Sequence, residues 1–148
     1  MVLRDVEGNL LDLQIEVIGH GVACAKIEDM KTGLSDQIRK KWPDSYERFK
    51  KLRKIHSYKG GEVIFDEENT PKIAYLATQE NLMYADYTFL NRSLRALDKL
   101  LIEKEIKACA LPHIGCGYGK LEWEQVKQVI SERLSESPID YLIVTYKS

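Results

Sequence analysis

The alternation of short β-branched or aromatic runs with helical patterns is the feature that most constrains this chain. Strands that alternate with helices need crossover connections, which place the helices against a sheet that is at least partly parallel. The pattern therefore predicts an α/β fold, in which ligands are expected beyond the carboxyl ends of the strands. Five runs bounded by polar residues, glycine or proline are predicted as strands: residues 14–18, 62–65, 72–78, 107–111 and 141–146.

Apolar residues recur at helical spacing between the predicted strands. Leu34, Ile38 and Trp42 follow one another every four residues, and similar series run over residues 87–101 and 123–134. Apolar residues continue at helical spacing to Leu52, which indicates two short helices in the first of these regions. The polar stretch at residues 66–71 contains asparagine and proline, so it predicts a turn that joins two strands as a hairpin.

Length and charge restrict the class of protein further. The 148 residues contain no repeat and no flexible linker, which predicts one domain over residues 1–148. The 22 basic and 23 acidic residues nearly cancel, so net charge supplies no general reason to bind a nucleic acid or a membrane. No run of about 18 apolar residues predicts a membrane span.

Cysteine usage argues against metal and disulfide frameworks. Cys24, Cys109 and Cys116 form no C-x-x-C pair and no zinc-type array with histidine, and their number is odd. No metal and no cofactor are expected. A reduced, cytoplasmic compartment is the corresponding prediction.

A glycine-rich segment follows the predicted strand at residues 107–111 and precedes a predicted helix. Gly115, Gly117 and Gly119 remove side chains from alternate positions, so the backbone can approach a ligand closely. Amides at the start of the following helix suit a phosphate group. The alternative is a tight strand-to-helix turn without a ligand, since neither the Walker nor the dinucleotide pattern is satisfied.

A second candidate loop follows the predicted strand at residues 14–18. It begins with Gly19, His20 and Gly21, and a downstream segment from Met30 to Ser35 leads into a helix. Two loops at neighbouring strand ends would hold a diphosphate from both sides. The alternative is an ordinary long loop that caps the helix.

Residues 112–123, PHIGCGYGKLEW, resemble the P-R-I-G-C-G-x-x-x-L-x-W phosphate loop of macro domains. The resemblance spans nearly the whole chain. It is closest to the small single-domain branch that includes the terminal ADP-ribose protein glycohydrolases and the ADP-ribose-1''-phosphate phosphatases. This resemblance implies a three-layer α/β/α mixed sheet flanked by helices, and a site for ADP-ribose or a derivative.

Residues 6–11, VEGNLL, resemble the macro-domain pattern V-x-G-D-L, whose acidic residue contacts the adenine amino group. Asn9 stands at the acidic position in this chain. An asparagine oxygen can still accept a hydrogen bond from that amino group, but it carries no charge. The resemblance therefore implies weaker binding or an altered base preference.

The first phosphate loop departs further from the family. Residues 30–34, MKTGL, resemble M-G-x-G-[IL], with Lys31 in place of the first glycine and Ser35 where alanine is common. Lys31 is predicted either to contact a phosphate or to be solvated. The segment Gly19–Gly21 corresponds to the family segment beside the distal ribose.

Two residues used by the similar glycohydrolases are missing in register. The family lysine after the central strand and the aspartate of the second loop correspond to residues 78–81 and 117–120, where neither is present in register. Lys120 is nearby in sequence, but nothing in the sequence positions it for that role. A covalent lysyl intermediate is therefore not expected. The remaining catalytic candidates are His20 and His113, as general acid or base near neutral pH, and Asp86, whose alternative role is to cap a helix.

Several other residues have alternative interpretations. Tyr118 and Tyr146 are predicted to stack on adenine or cover the diphosphate, with a core or edge position as the alternative for Tyr146. Cys116 is interpreted as packing and His56 as solvated. The basic stretch at residues 39–54 suggests RNA or poly-ADP-ribose binding, but its charges are better explained as facing water.

The sequence thus predicts a protein that binds ADP-ribose and hydrolyses ADP-ribose-1''-phosphate or an ADP-ribosyl adduct without metal. An ADP-ribosylated protein is a further expected partner, whereas a nucleic acid and a membrane are not expected. The main alternative is a reader that binds without turnover. The predicted ligand-binding residues are Gly8, Asn9, Leu10, Gly19, His20, Gly21, Lys31, Thr32, Gly33, Leu34, Ile114, Gly115, Cys116, Gly117, Tyr118, Gly119 and Tyr146.

Overall fold

A computed structural model describes residues 2–23, 30–31, 33–55, 59–80, 84–117 and 119–147. The predicted contributions of Cys24, Thr32, His56 and Tyr118 lie outside these described residues. The elements follow in the order β1 (Val2–Gly8), a 3-10 turn (Leu10–Asp12), β2 (Val17–Ala23), α1 (Gly33–Lys41), α2 (Pro43–Ile55), β3 (Val63–Asp66), β4 (Lys72–Gln79), α3 (Tyr87–Glu103), β5 (Ala108–Leu111), α4 (Trp123–Leu134) and β6 (Asp140–Tyr146).

The six strands form one mixed sheet in the order β1-β6-β5-β2-β4-β3. The pairs β1–β6, β6–β5, β5–β2 and β2–β4 are parallel, whereas β3 runs antiparallel to β4. The antiparallel pair is the hairpin predicted around residues 66–71. The sheet confirms the predicted α/β fold.

Helices cover both faces of the sheet. Successive side chains of β4 point to opposite faces of the sheet. Ile73 and Tyr75 pack in one buried cluster with residues of α1 and α2. Ala74 and Leu76 pack in the other cluster with residues of α3 and α4. The result is the three-layer α/β/α arrangement. No described helix is long and apolar enough to cross a membrane.

The sequence prediction was wrong about the first two strands. β1 was missed, since it lies at the edge of the sheet and its exposed residues include Arg4, Asp5 and Glu7. β2 extends to Ala23 and does not end at residue 18. Its two glycines were interpreted as loop signals, but they allow close packing inside the sheet.

Neighbouring atoms explain both glycines of β2. A Cβ atom at Gly19 would lie 2.8 Å from a methyl carbon of Leu111. A Cβ atom at Gly21 would lie 2.7 Å from Oγ1 of Thr78. His20 therefore lies within a buried strand, and not in an open loop as predicted.

A nearly buried ion pair attaches α2 to β3. The Nε and Nη2 groups of Arg48 donate to the two carboxylate oxygens of Asp66 at 2.8 and 2.9 Å. The Asp66 side chain is only 2% exposed. Burial alone would raise the pKa of Asp66, but hydrogen bonds from Arg48 and Ser45 hold that pKa below its ordinary value.

The Arg48→Met variant should lose about 3 kcal/mol of folding free energy at pH 7, because it leaves a buried carboxylate without its cation. The lowered pKa of Asp66 means that the pair stabilises the fold above about pH 4, the ordinary Asp value, and this contribution is lost as the pH falls further. The deficit of the variant should therefore shrink on acidification.

Urea unfolding of both proteins at pH 7 and at about pH 2, well below the ordinary Asp value, measures the deficit. Lys51→Met is the matched control on the exposed surface of α2, and it should change stability by less than about 0.5 kcal/mol. A deficit of equal size at both pH values would contradict this account of the pair.

Candidate functional site

A cavity of about 620 Å³ lies at the carboxyl ends of the parallel strands. Parallel strands bring the residues that follow them to one edge of the sheet, so segments distant in sequence meet here. The described lining residues are Asn9, Leu10, His20, Gly21, Lys31, Gly33, Leu34, Ser35, Gln37, Thr78, Gln79, Pro112, His113, Ile114, Gly115, Gly117, Gly119, Val144 and Tyr146.

One wall of the cavity is the start of α1 with the residues before it. Met30 is fully buried and has a positive φ of 53°, which is uncommon for a residue with a side chain. Arg39 Nε donates to the carbonyl oxygen of Met30 at 3.1 Å, and Nη2 of Arg39 donates to Asp36 at 2.6 Å. These contacts hold the backbone immediately before Lys31, an exposed residue that lines the cavity.

The opposite wall is the glycine loop at residues 115–119. Gly115 has a φ of 77°, which a residue with a side chain rarely adopts. Its carbonyl accepts from the backbone N–H of Leu121 at 2.8 Å, and the carbonyl of Gly119 accepts from Ala85 N–H at 2.8 Å. A Cβ atom at Gly119 would lie 2.5 Å from the oxygen of Gly115, whereas one at Gly117 would meet no described atom within 4 Å apart from its chain neighbours.

His20 lines the cavity but is only 1% exposed. Its Nδ1 lies 3.3 Å from Oγ of Ser35, and its ring meets Tyr75 edge-on with centroids 4.9 Å apart. Burial lowers the pKa of His20 to about 3. The imidazole is therefore neutral at pH 7, so it has no imidazolium proton to give as a general acid.

His113 occupies a different environment at the end of β5. Its ring stacks on Trp123 with centroids 3.6 Å apart and an interplanar angle of 5°. Nε2 lies 2.9 Å from Oγ1 of Thr145. Partial burial lowers the pKa of His113 below its ordinary value, so this side chain also favours its neutral form at pH 7.

Two predicted residues make other contacts in the structure. Asp86 does not line the cavity; its carboxylate caps α3 by accepting from the backbone N–H groups of Thr88 and Phe89 at 2.7 and 3.2 Å. Cys116 packs against the buried cluster, and burial raises the pKa of its thiol to about 11. A thiol in that state is a poor nucleophile.

The end of the cavity beside β1 and β6 combines an amide with an exposed aromatic ring. Gly8 pairs with Tyr146 in the parallel register, so Asn9 comes directly after the residue opposite Tyr146. Tyr146 is 66% exposed, and the buried residues Leu10 and Val144 also line the cavity. Asn9 Oδ1 accepts from the backbone N–H of Leu11 at 3.0 Å.

The cavity brings together most, but not all, of the predicted ligand residues. Gly8, Gly19 and Cys116 do not line it. Sequence reasoning had not assigned six lining residues to the site. They are Ser35, Gln37, Thr78, Gln79, Pro112 and Val144. The signals available in the sequence were their positions at strand ends and in the first turns of α1.

The electrostatic character of the cavity follows from its lining. Among the lining residues that the structure describes, there is no aspartate or glutamate, and Lys31 carries the only permanent charge. The described chain also contains no group of three side chains suited to hold a metal ion. The described lining therefore favours an anionic ligand and contains no carboxylate that would repel it.

Comparisons with known proteins agree with this geometry. No family model matches the chain. A DNA ADP-ribosyl glycohydrolase of Thermus aquaticus is 27% identical over 138 residues, covering 90% of this chain but only 38% of that protein. The solved macrodomain of Thermus aquaticus DarG is 26% identical with a TM-score of 0.87, covering 99% of both chains.

A third similar protein is Thermosipho africanus DarTG, solved in complex with ADP-ribose. It is 21% identical with a TM-score of 0.88, covering 97% of this chain and 41% of that one. The chain has the three-layer fold of a macro domain. Within that class, the chain is similar to ADP-ribosyl glycohydrolases.

The two histidines of the cavity should titrate differently from free histidine. NMR of the ring protons should show His20 unprotonated throughout pH 5–8, and His113 titrating below about 6.5. The variants His20→Gln and His113→Gln assign the signals against His56, the third histidine. A His20 signal that titrates near pH 6.5 would contradict its buried, neutral state.

Proposed function

We propose that this macro domain binds ADP-ribose or a close derivative in the cavity. The observation that carries the proposal is the pairing of two backbone walls across a space that has no carboxylate among its described lining residues. The volume of about 620 Å³ falls within the usual range for small-molecule sites. Lys31 adds one positive charge for a diphosphate.

Each of the two walls offers groups that suit the phosphate oxygens of a diphosphate. Among the described loop residues, the carbonyl groups of Gly115, Gly117 and Gly119 accept from protein N–H groups, and the N–H of Cys116 donates to His113. The N–H groups of the three glycines are therefore the backbone donors that the described part of the loop can offer to a ligand. The start of α1 offers the positive end of its helix dipole beside Gly33. Both features favour phosphate oxygens.

We extend the proposal to hydrolysis of an ADP-ribosyl adduct. Support comes from the similar protein named as a DNA ADP-ribosyl glycohydrolase, although the chain spans only 38% of it. Because His20 is neutral and Cys116 is a thiol, catalysis by the described residues would rest on backbone amides and neutral side chains that stabilise developing charge. ADP-ribose-1''-phosphate is the narrower substrate that we propose to test first.

A reader without turnover is the second candidate function. It is favoured by the neutral histidines of the cavity and by Thr78 and Gln79 at the end of β4, where the resemblance to glycohydrolases implies a lysine. The described cysteines Cys109 and Cys116 are free thiols, which supports a reduced, cytoplasmic-type compartment for either function. We also propose that residues 1–148 act as one domain.

Parallel assays separate enzyme from reader. The pure protein, without added metal, is incubated with ADP-ribose-1''-phosphate and separately with an ADP-ribosylated DNA oligonucleotide and an ADP-ribosylated protein. Release of phosphate or ADP-ribose is followed beside a calorimetric titration with ADP-ribose. Release supports hydrolysis of the corresponding substrate, binding without release supports the reader, and the absence of both contradicts the proposal.

Two variants should separate binding from folding. In Gly117→Val the Cβ meets no described atom within 4 Å apart from its chain neighbours, so stability should hold. A ligand lying against the loop would collide with it, and affinity for ADP-ribose should fall about tenfold or more, which corresponds to about 1.4 kcal/mol.

Asp86→Ala should lower the stability of the protein without lowering its affinity for ADP-ribose. It removes the cap of α3 at a cost of about 1 kcal/mol, yet it should leave affinity unchanged because Asp86 does not line the cavity. Thermal unfolding and calorimetry measure both quantities. Unchanged affinity in Gly117→Val would place the ligand elsewhere.

A further inference from the structure

We propose that the Ser35 hydroxyl donates a hydrogen bond to the diphosphate of the ligand, and that the buried ring of His20 directs this hydroxyl toward it. The inference rests on the proposed function, since it takes a nucleoside diphosphate ribose as the ligand. It adds a side-chain donor to the wall formed by α1. It also gives His20 a positioning role in place of the acid–base role that the sequence predicts.

Ser35 lies where an anion is favoured. It belongs to the first turn of α1, two residues after Gly33, and it lines the cavity. The first N–H groups of a helix have no partner within the helix, and the positive end of the helix dipole lies beside them. The positively charged Lys31 lines the same cavity just before α1. Alanine is common at the position of Ser35 in the family pattern, and alanine has no polar group to offer a ligand.

His20 holds the Ser35 side chain from the protein side. Nδ1 of His20 lies 3.3 Å from Oγ of Ser35, and among the described residues His20 is the only hydrogen-bond partner of that hydroxyl. His20 is 1% exposed and also lines the cavity. What Ser35 can offer a ligand therefore depends on which ring nitrogen of His20 carries the hydrogen.

Burial favours the hydrogen on Nδ1. The ring is neutral because burial lowers the pKa of His20 to about 3, so only one of its nitrogens carries a hydrogen. Nε2 is sheltered from solvent and has no hydrogen-bond partner among the described residues. The neighbouring Tyr75 ring, with centroids 4.9 Å apart, is a weaker acceptor than the Ser35 oxygen. Buried N–H groups without a partner are rarer than buried acceptors with unused capacity, so Nδ1–H is the favoured form.

This form of His20 leaves the Ser35 hydroxyl free to donate. A protonated Nδ1 donates to Oγ and cannot accept from it, so the hydroxyl hydrogen has no acceptor among the described residues. The cavity is the open side of Ser35, and a phosphate oxygen is the acceptor that suits a donor there. With the hydrogen on Nε2, the hydroxyl would instead donate to Nδ1 and turn its lone pairs toward the anion.

Calorimetric titration of the full chain with ADP-ribose tests the contact. Ser35→Ala should weaken binding about three- to tenfold, the range of one hydrogen bond. Ser131→Ala is the matched control, because Ser131 lies on the exposed surface of α4 and does not line the cavity. It should leave the affinity unchanged.

Two further measurements separate a phosphate contact from a general disturbance of the wall. Adenosine has no phosphate, so its affinity, followed by NMR titration, should be the same in Ser35→Ala and in the unsubstituted chain. Nitrogen NMR of the unsubstituted chain, with the His20 signals assigned by His20→Gln, should show the ring hydrogen on Nδ1.

Three results would each overturn the inference while leaving the proposed function intact. They are an unchanged affinity of Ser35→Ala for ADP-ribose, an equal loss of affinity for adenosine, and a His20 ring that carries its hydrogen on Nε2. If the unsubstituted chain does not bind ADP-ribose, the proposed function itself fails and the inference with it.

Discussion

The parallel pairing of β2 with β4 and β5 is the interaction on which the site depends. It aligns three carboxyl strand ends, so that the segments after β2 and β5 and the last residues of β4 reach one edge. The pairing requires close packing along β2, which Gly19 and Gly21 permit because a side chain at either position would collide with Leu111 or Thr78.

The same close packing determines the electrostatics of the cavity. His20 projects from the buried strand between the glycines, and its burial keeps the ring neutral. His113 is partly enclosed by its stack on Trp123. The described cavity therefore relies on backbone groups, amides and one lysine, which suits an uncharged sugar and base joined by a charged diphosphate.

Local patterns in the sequence predicted the helices and the strands β3 to β6 well, and β1 and β2 less well. The apolar spacing of residues 87–101 predicted α3, because a helix that covers a sheet must present one continuous apolar face. The extent of β2 could not be predicted, since glycines signal turns in isolation and reveal a packing role only when Leu111 and Thr78 are in place. β1 was missed because an edge strand can carry charged residues such as Arg4 and Asp5.

The sequence by itself determined the α/β class, the glycine loop at residues 115–119 and the presence of asparagine at position 9, since all three are local properties of the chain. Tertiary structure alone decided that His20 is buried and neutral, that Asp86 caps a helix away from the cavity, and that the Asn9 oxygen is committed to Leu11. The reason is physical. Burial and hydrogen-bond partners depend on residues that are brought together only when the sheet closes around them.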